Sequence, residues 1–112
     1  MTIGYSTKGL ELTNELEKYA NGKVVRLRRR IPRRLRAHAS CKVAFVQVTR
    51  KGTKFSTCEV TLALDRVEFK AKETTLHMYA ALDVAAVYIE QQLRDYVRTQ
   101  RHGLLRRRPH TK

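Results

Sequence analysis

Between Lys23 and Arg36 the chain carries Lys23, Arg26, Arg28, Arg29, Arg30, Arg33, Arg34 and Arg36 with no acidic residue among them. A solvated protein face normally mixes its charges, whereas an unbroken like-charge run repels itself unless a polyanion answers it. The arginine fork is the side chain best shaped to hold phosphate bidentately. On a helix Lys23, Arg26 and Arg30 share one face, with Arg29 and, less squarely, Arg33 at its edge. Arg94, Arg98 and Arg101 form a second row at steps of four and three, and Arg106, Arg107 and Arg108 follow. Cations near the end of a helix also complement its dipole, so part of this second row has a purely structural account. The candidate phosphate contacts are therefore Lys23, Arg26, Arg29, Arg30, Arg33, Arg34, Arg94, Arg98 and Arg101.

Other chemistry is thinly represented. His38, His77, His102 and His110 are scattered, Asp65 and Asp83 have no obvious carboxylate partner, and neither a glycine-rich phosphate loop nor a nucleophile motif is present. The reading is a chain without catalytic residues, metal ligands, cofactor or small-molecule substrate. A small basic ribonuclease working through Arg, Lys, Tyr or His is the enzymatic alternative. Cys41 and Cys58 lack zinc-ligand spacing and read as small buried hydrophobes suited to a reducing compartment.

Totals point the same way. The 112 residues hold 24 Lys and Arg against 10 Asp and Glu, a formal charge of +14. Fifteen of the basic residues are arginine, which favours nucleic acid over a membrane surface. No run approaches the ~20 apolar residues of a membrane span, and the first residues resemble neither signal nor transit peptide, so a cytoplasmic protein is expected. The aromatic residues Tyr5, Tyr19, Phe45, Phe55, Phe69, Tyr79 and Tyr96 mostly fall on apolar stripes, with Tyr88 the exception on a polar face. Without an exposed stacking platform, backbone and shape recognition of structured RNA fits better than reading of single-stranded bases.

The elements that position these residues follow from hydrophobic period. Ile3 and Tyr5 alternate with polar neighbours, a strand over 2–7. Thr13 is an N-cap, and Leu16, Ala20, Val24, Leu27 and Ile31 form the stripe of a helix over about 14–30 that continues in phase across Asn21-Gly22. Pro32 ends it, and the arginine-rich segment to Ala39-Ser40 reads as a loop. Strands follow at 41–49, 55–64 and 67–72. A turn centred on Lys51-Gly52 sets Cys58 opposite Phe45 and Cys41 opposite Leu62, which leaves the thiols unpaired. Thr74 or Thr75 then caps a long helix over 77–101 whose stripe is Met78, Leu82, Ala85, Ala86, Ile89, Leu93, Tyr96 and Val97.

The order β-α-β-β-β-α predicts a two-layer α+β domain, a four-stranded sheet with both helices packed on one face. It spans 1–101, and 102–112 is expected to be a basic tail, disordered until it meets an anion.

Within the long helix, Met78-Tyr79-Ala80-Ala81-Leu82-Asp83 with Gln92 and Leu93 resembles the DMYAAID…LERQ signature of the ribosome hibernation-promoting factor family, the ribosome-associated inhibitors. The element order, the Leu12-Thr13 lead into the first helix and the Lys-Gly hairpin are similar too, so the resemblance covers about residues 1–101. It implies a non-enzymatic, monomeric factor in the channel between head and body of the small ribosomal subunit, overlapping the paths of mRNA and of A- and P-site tRNA. Positions matching the family's ribosomal RNA contacts on the first helix are Lys23, Arg26 and Arg29. The chain departs from the pattern at His77, where an acidic residue is usual, and at Tyr88, Gln91 and Asp95, where the family tends to carry cations. Ending soon after the helix, it resembles the short form without a dimerisation domain. A general double-stranded-RNA module is the alternative binding protein.

Overall fold

The computed structural model describes the backbone of residues 1–106 and the side chains of residues 1–100. Its strands are β1 (Thr2–Lys8), β2 (Ser40–Arg50), β3 (Thr53–Ala63) and β4 (Glu68–Thr75), and its helices α1 (Asn14–Arg30), α2 (Arg33–Arg36) and α3 (Met78–Arg106). The sheet order is β1-β2-β3-β4, with β1 parallel to β2 and the other pairs antiparallel. This is the expected α+β architecture with a mixed four-stranded sheet.

Parity along the strands decides which face is dry. Cys41, Val43 and Phe45 lie opposite Leu62, Val60 and Cys58, and Val60 and Leu62 lie opposite Ala71 and Phe69. All of these are buried in one cluster with Leu16, Ala20, Val24 and Leu27 of α1 and Leu82, Ala85, Ile89 and Leu93 of α3. Since successive strand residues point to opposite faces, both helices cover a single face and the other is open. The expected stripe of α3 is buried as far as Leu93, with Tyr96 and Val97 half-buried.

The hairpin register follows from its turn. Lys51 and Gly52 both have positive φ, 51° and 82°, as the two central residues of a tight two-residue hairpin require. That places Phe45 opposite Cys58 and Cys41 opposite Leu62, as the turn predicted, and both cysteines are free. Burial pushes the Cys41 thiol up to about 11 and the Cys58 thiol up to about 12.

Several boundaries differ from the sequence reading, among them β3, which begins at Thr53, and β4, which runs on to Thr75 and takes in the threonines expected to cap the long helix. The segment after Pro32 is not all loop: Arg33–Arg36 makes one helical turn, stabilised where Leu35 N–H donates to Pro32 O. The turn before α3 is held by Thr75, whose hydroxyl accepts from His77 N–H at 3.0 Å, while His77 O accepts the first helical bond from Ala81. Finally, α3 continues to Arg106, so the first part of the expected tail is helical; the rest, 107–112, lies outside the described residues.

Two glycines carry opposite expectations. Gly9, with φ 84°, turns the chain out of β1, and a Cβ there would collide with the carbonyl oxygen of Gln47. Gly22 sits in the exposed middle of α1 with open space around its Cα. Gly9→Ala is expected to destabilise the fold by about 2 kcal/mol through a left-handed non-glycine residue and the clash. Gly22→Ala is expected to stabilise it by about 1 kcal/mol. Urea denaturation of the two variants checks both signs. The raised thiol pKa values carry a further expectation: at pH 8 both cysteines remain protonated, so iodoacetamide should label the unfolded chain and spare the native one, as read by mass spectrometry.

Candidate nucleic-acid interface

The cationic surface is assembled by packing. Thr13 accepts from Leu16 N–H at 3.1 Å and starts α1, and Glu15 and Glu17 occupy its first turn. At the other end Arg28, Arg29 and Arg30 lie in the last turn, where the partial negative charge of the helix terminus favours cations. Arg36 closes this end: its Nε donates to Ile31 O at 2.9 Å and its second guanidinium nitrogen to Arg29 O at 3.2 Å. One member of the basic run is therefore a helix cap. It reaches α1 only because α2 folds the chain back after Pro32.

Burying both apolar stripes sets α1 beside α3, and the two helices form a groove of about 420 Å³ lined by Arg26, Arg29, Arg30, Glu90, Arg94 and Val97. Four guanidinium groups from two helices converge on one opening with an aliphatic side chain in its wall. Fixed-charge donors at a partly enclosed surface suit phosphate oxygens, and the donors can be shared between adjacent phosphates of a backbone.

Two ion pairs bridge the helices at the surface. Lys23 Nζ lies 3.0 Å from Asp83 Oδ1, and Arg30 Nε lies 2.5 Å from Glu90 Oε2. The partners are spaced alike on both helices, Lys23 to Arg30 and Asp83 to Glu90, which is two helical turns and so one face of each. Around the first pair a small cluster forms. Tyr19 donates its hydroxyl to Asp83 Oδ1 at 2.6 Å, Lys23 lies 5.1 Å over the Tyr19 ring, and Tyr79 packs edge-on to Tyr19 at 5.0 Å. Partial desolvation pushes the Asp83 carboxyl up, but the Tyr19 hydroxyl and the Lys23 ammonium outweigh it and hold it below the ordinary carboxylate range. The same hydrogen bond to Asp83 raises the Tyr19 phenol.

The candidate residues thus separate by position. Arg26, Arg29, Arg30 and Arg94 come together in the groove. Lys23 shares their helix face but is engaged by Asp83. Arg33 and Arg34 are exposed on α2, past the end of α1, so Arg33 does not continue the α1 row. Arg98 is exposed one turn beyond Arg94, and Arg101 lies in the helical backbone of α3 beyond the described side chains. Sequence reasoning missed Glu90, the acid in the groove, and the Tyr19–Asp83 contact. The matched heptad spacing of Lys23/Arg30 and Asp83/Glu90 was the signal that could have found them.

The aromatic expectation also needs correction. Tyr19, Tyr79 and Phe55 are exposed, as Tyr88 is, rather than core residues. Among the described residues no helix is long and apolar enough to cross a membrane.

Among the described residues lining this groove Glu90 is the one acid, so its removal tests the electrostatics of the site. Glu90→Gln is expected to tighten binding of an RNA duplex several-fold at low salt, and the gain should shrink as salt rises. Fluorescence anisotropy across a salt series measures both effects.

Comparison with known proteins returned a family and a fold. No curated protein matched the sequence. Among solved structures, the N-terminal domain of Protein Y from Thermus thermophilus superposes with a TM-score of 0.71 at 23% identity, covering 86% of this chain and 99% of that one. A ribosomal subunit interface protein from Coxiella burnetii gives a TM-score of 0.67 at 20% identity, covering 86% and 97%. These likenesses show a shared fold. The sequence profile of the family described as sigma 54 modulation protein / S30EA ribosomal protein matches residues 3–101, nearly the whole described fold and both helices of the groove, and the chain belongs to that family.

Proposed function

We propose that this protein is a ribosome-binding factor that holds the small subunit through ribosomal RNA phosphates and inhibits translation by occupying the channel used by mRNA and by A- and P-site tRNA. The observation that carries the reading is the groove of Arg26, Arg29, Arg30 and Arg94 between α1 and α3 in a chain of this family. The ribosomal names of the family and of the Coxiella burnetii neighbour support the choice of partner. Hibernation of idle ribosomes in the cytoplasm is the role this implies, with the protein acting as a monomer and without catalysis.

Occupancy asks little of the protein beyond shape and charge. A two-layer domain with a cationic groove can neutralise several phosphates at once, and each neutralised phosphate releases condensed counterions. Lys23 and Arg30 enter that account at a discount, because an arriving phosphate must compete with Asp83 and Glu90 for them. Arg26, Arg29 and Arg94 are in no ion pair among the described residues, which makes them the principal contacts. Arg33, Arg34, Arg98 and Arg101 extend the contact along the RNA.

Arg26→Glu combined with Arg29→Glu is expected to abolish co-sedimentation with small subunits while circular dichroism and the urea midpoint stay close to wild type, since both side chains are exposed. Undiminished co-sedimentation at moderate salt would overturn the proposal. For the wild type, log affinity should fall linearly with log salt, and each arginine contact removed should lower the slope by about one. Added tRNA or mRNA should displace the protein from small subunits, whereas a general duplex-RNA binder would bind naked duplexes equally well and ignore such competitors.

A further inference from the structure

The face of the sheet away from the helices carries a second feature that charge counting along the sequence does not reveal. At its hairpin end a groove of about 440 Å³ is lined by Val48, Arg50, Phe55, Thr57, Lys72 and Thr74. Phe55 lies directly opposite Val48 across β2 and β3, and both are open to solvent, 36% and 42% exposed. A phenylalanine ring on a strand of an uncovered sheet is an apolar surface left in water. Beside it the hydroxyls of Thr57 and Thr74 share a hydrogen bond at 2.7 Å, and either can turn to a ligand instead. Among the described residues lining the groove none is acidic and neither Arg50 nor Lys72 is in an ion pair, though Glu59 lies directly opposite Lys72 on the neighbouring strand, at the groove's edge.

We propose that this patch binds an unpaired nucleotide of RNA, with the base stacked on Phe55 against Val48 and the flanking phosphates held by Arg50 and Lys72. The combination selects the ligand. An apolar protein surface would cover the ring but leave Arg50 desolvated without a counter-charge and Lys72 with Glu59 alone, whereas a single-stranded nucleotide offers a π-face and a phosphate within one residue. A duplex cannot present its base faces, so the ligand is unpaired RNA. The patch is on the opposite layer from the α1–α3 groove, so the domain holds RNA from two sides. The inference rests on reading the chain as an RNA-binding protein, but it uses none of the groove residues.

The chain has no tryptophan, so Phe55→Trp places a single reporter on the patch. Titrating the full chain carrying this change with single-stranded hexa-adenylate RNA is expected to quench the tryptophan emission in step with binding. A fully paired duplex should bind without comparable quenching. Phe55→Ala should weaken oligonucleotide binding about tenfold, the scale of one lost base–aromatic stack. Combining Phe55→Trp with Arg26→Glu and Arg29→Glu should leave the quench in place. Unchanged emission at saturating oligonucleotide, equal quenching by the duplex, loss of the quench with the groove charges, or wild-type affinity of Phe55→Ala would each overturn the proposal. A retained quench alongside undiminished small-subunit co-sedimentation of the Arg26→Glu/Arg29→Glu chain would overturn the groove reading alone, so the two failures are distinguishable.

Discussion

The helices α1 and α3 must lie side by side, because both have apolar stripes and only one face of the sheet is available to bury them. The core cluster leaves them no alternative: Leu16, Ala20, Val24 and Leu27 of α1 and Leu82, Ala85, Ile89 and Leu93 of α3 share the same dry layer. The flanking side chains are then brought together whatever their sign. Two like charges about 4 Å apart near a protein surface repel by roughly 4 kcal/mol at an effective dielectric of 20, comparable to the gain from burying one or two aliphatic side chains. Asp83 and Glu90 relieve that repulsion at Lys23 and Arg30. Arg26, Arg29 and Arg94 are in no ion pair among the described residues, and they line the groove between the helices.

The same packing accounts for the open face. With both helices on one side, the outer residues of β2, β3 and β4 meet solvent, and their character is set only by strand parity and by whatever they touch. Most are polar, as such a face should be. Val48 and Phe55 depart from that pattern as a directly opposed pair, stabilising each other across the hairpin while leaving ring surface exposed. The exposed ring sits beside Arg50 and Lys72, so the sheet has an apolar and cationic corner where a solvated face would have had none.

How much was legible from the residues depended on how far each feature's cause lay along the chain. The stripes of α1 and α3 and the hairpin register were readable because a 3.6 or 2.0 period and a two-residue turn are local. Phe55 was also readable in principle: it shares parity with Thr57 and Glu59, the wetter side of β3, but its aromatic type argued for the core and its position did not. Tyr19 and Tyr79 flank their stripes, and only the contact between α1 and α3 decides that they meet each other and Asp83 at the surface. The helical turn of Arg33–Arg36 and the capping role of Arg36 were hidden for the same reason. Their cause is the exposed carbonyl end of α1, which no window over the arginine run contains.

The length of α3 settles a competition between two explanations of its cations. Were the helix to end near Arg101, Arg94 and Arg98 would lie near its last turns and the helix dipole would account for part of their placement. It runs on to Arg106, and the dipole acts within about one turn of the terminus, so neither residue gains from it. Arg28, Arg29 and Arg30 do occupy the last turn of α1, so for them the structural account stands beside the functional one. Arg26 and Arg94 have no such account. They lie away from the ends of their helices, form no ion pair among the described residues, and face the same groove. Of the four arginines lining the groove, these are the two that neither an ion pair nor a helix terminus accounts for, and so the two that most require a partner outside the fold.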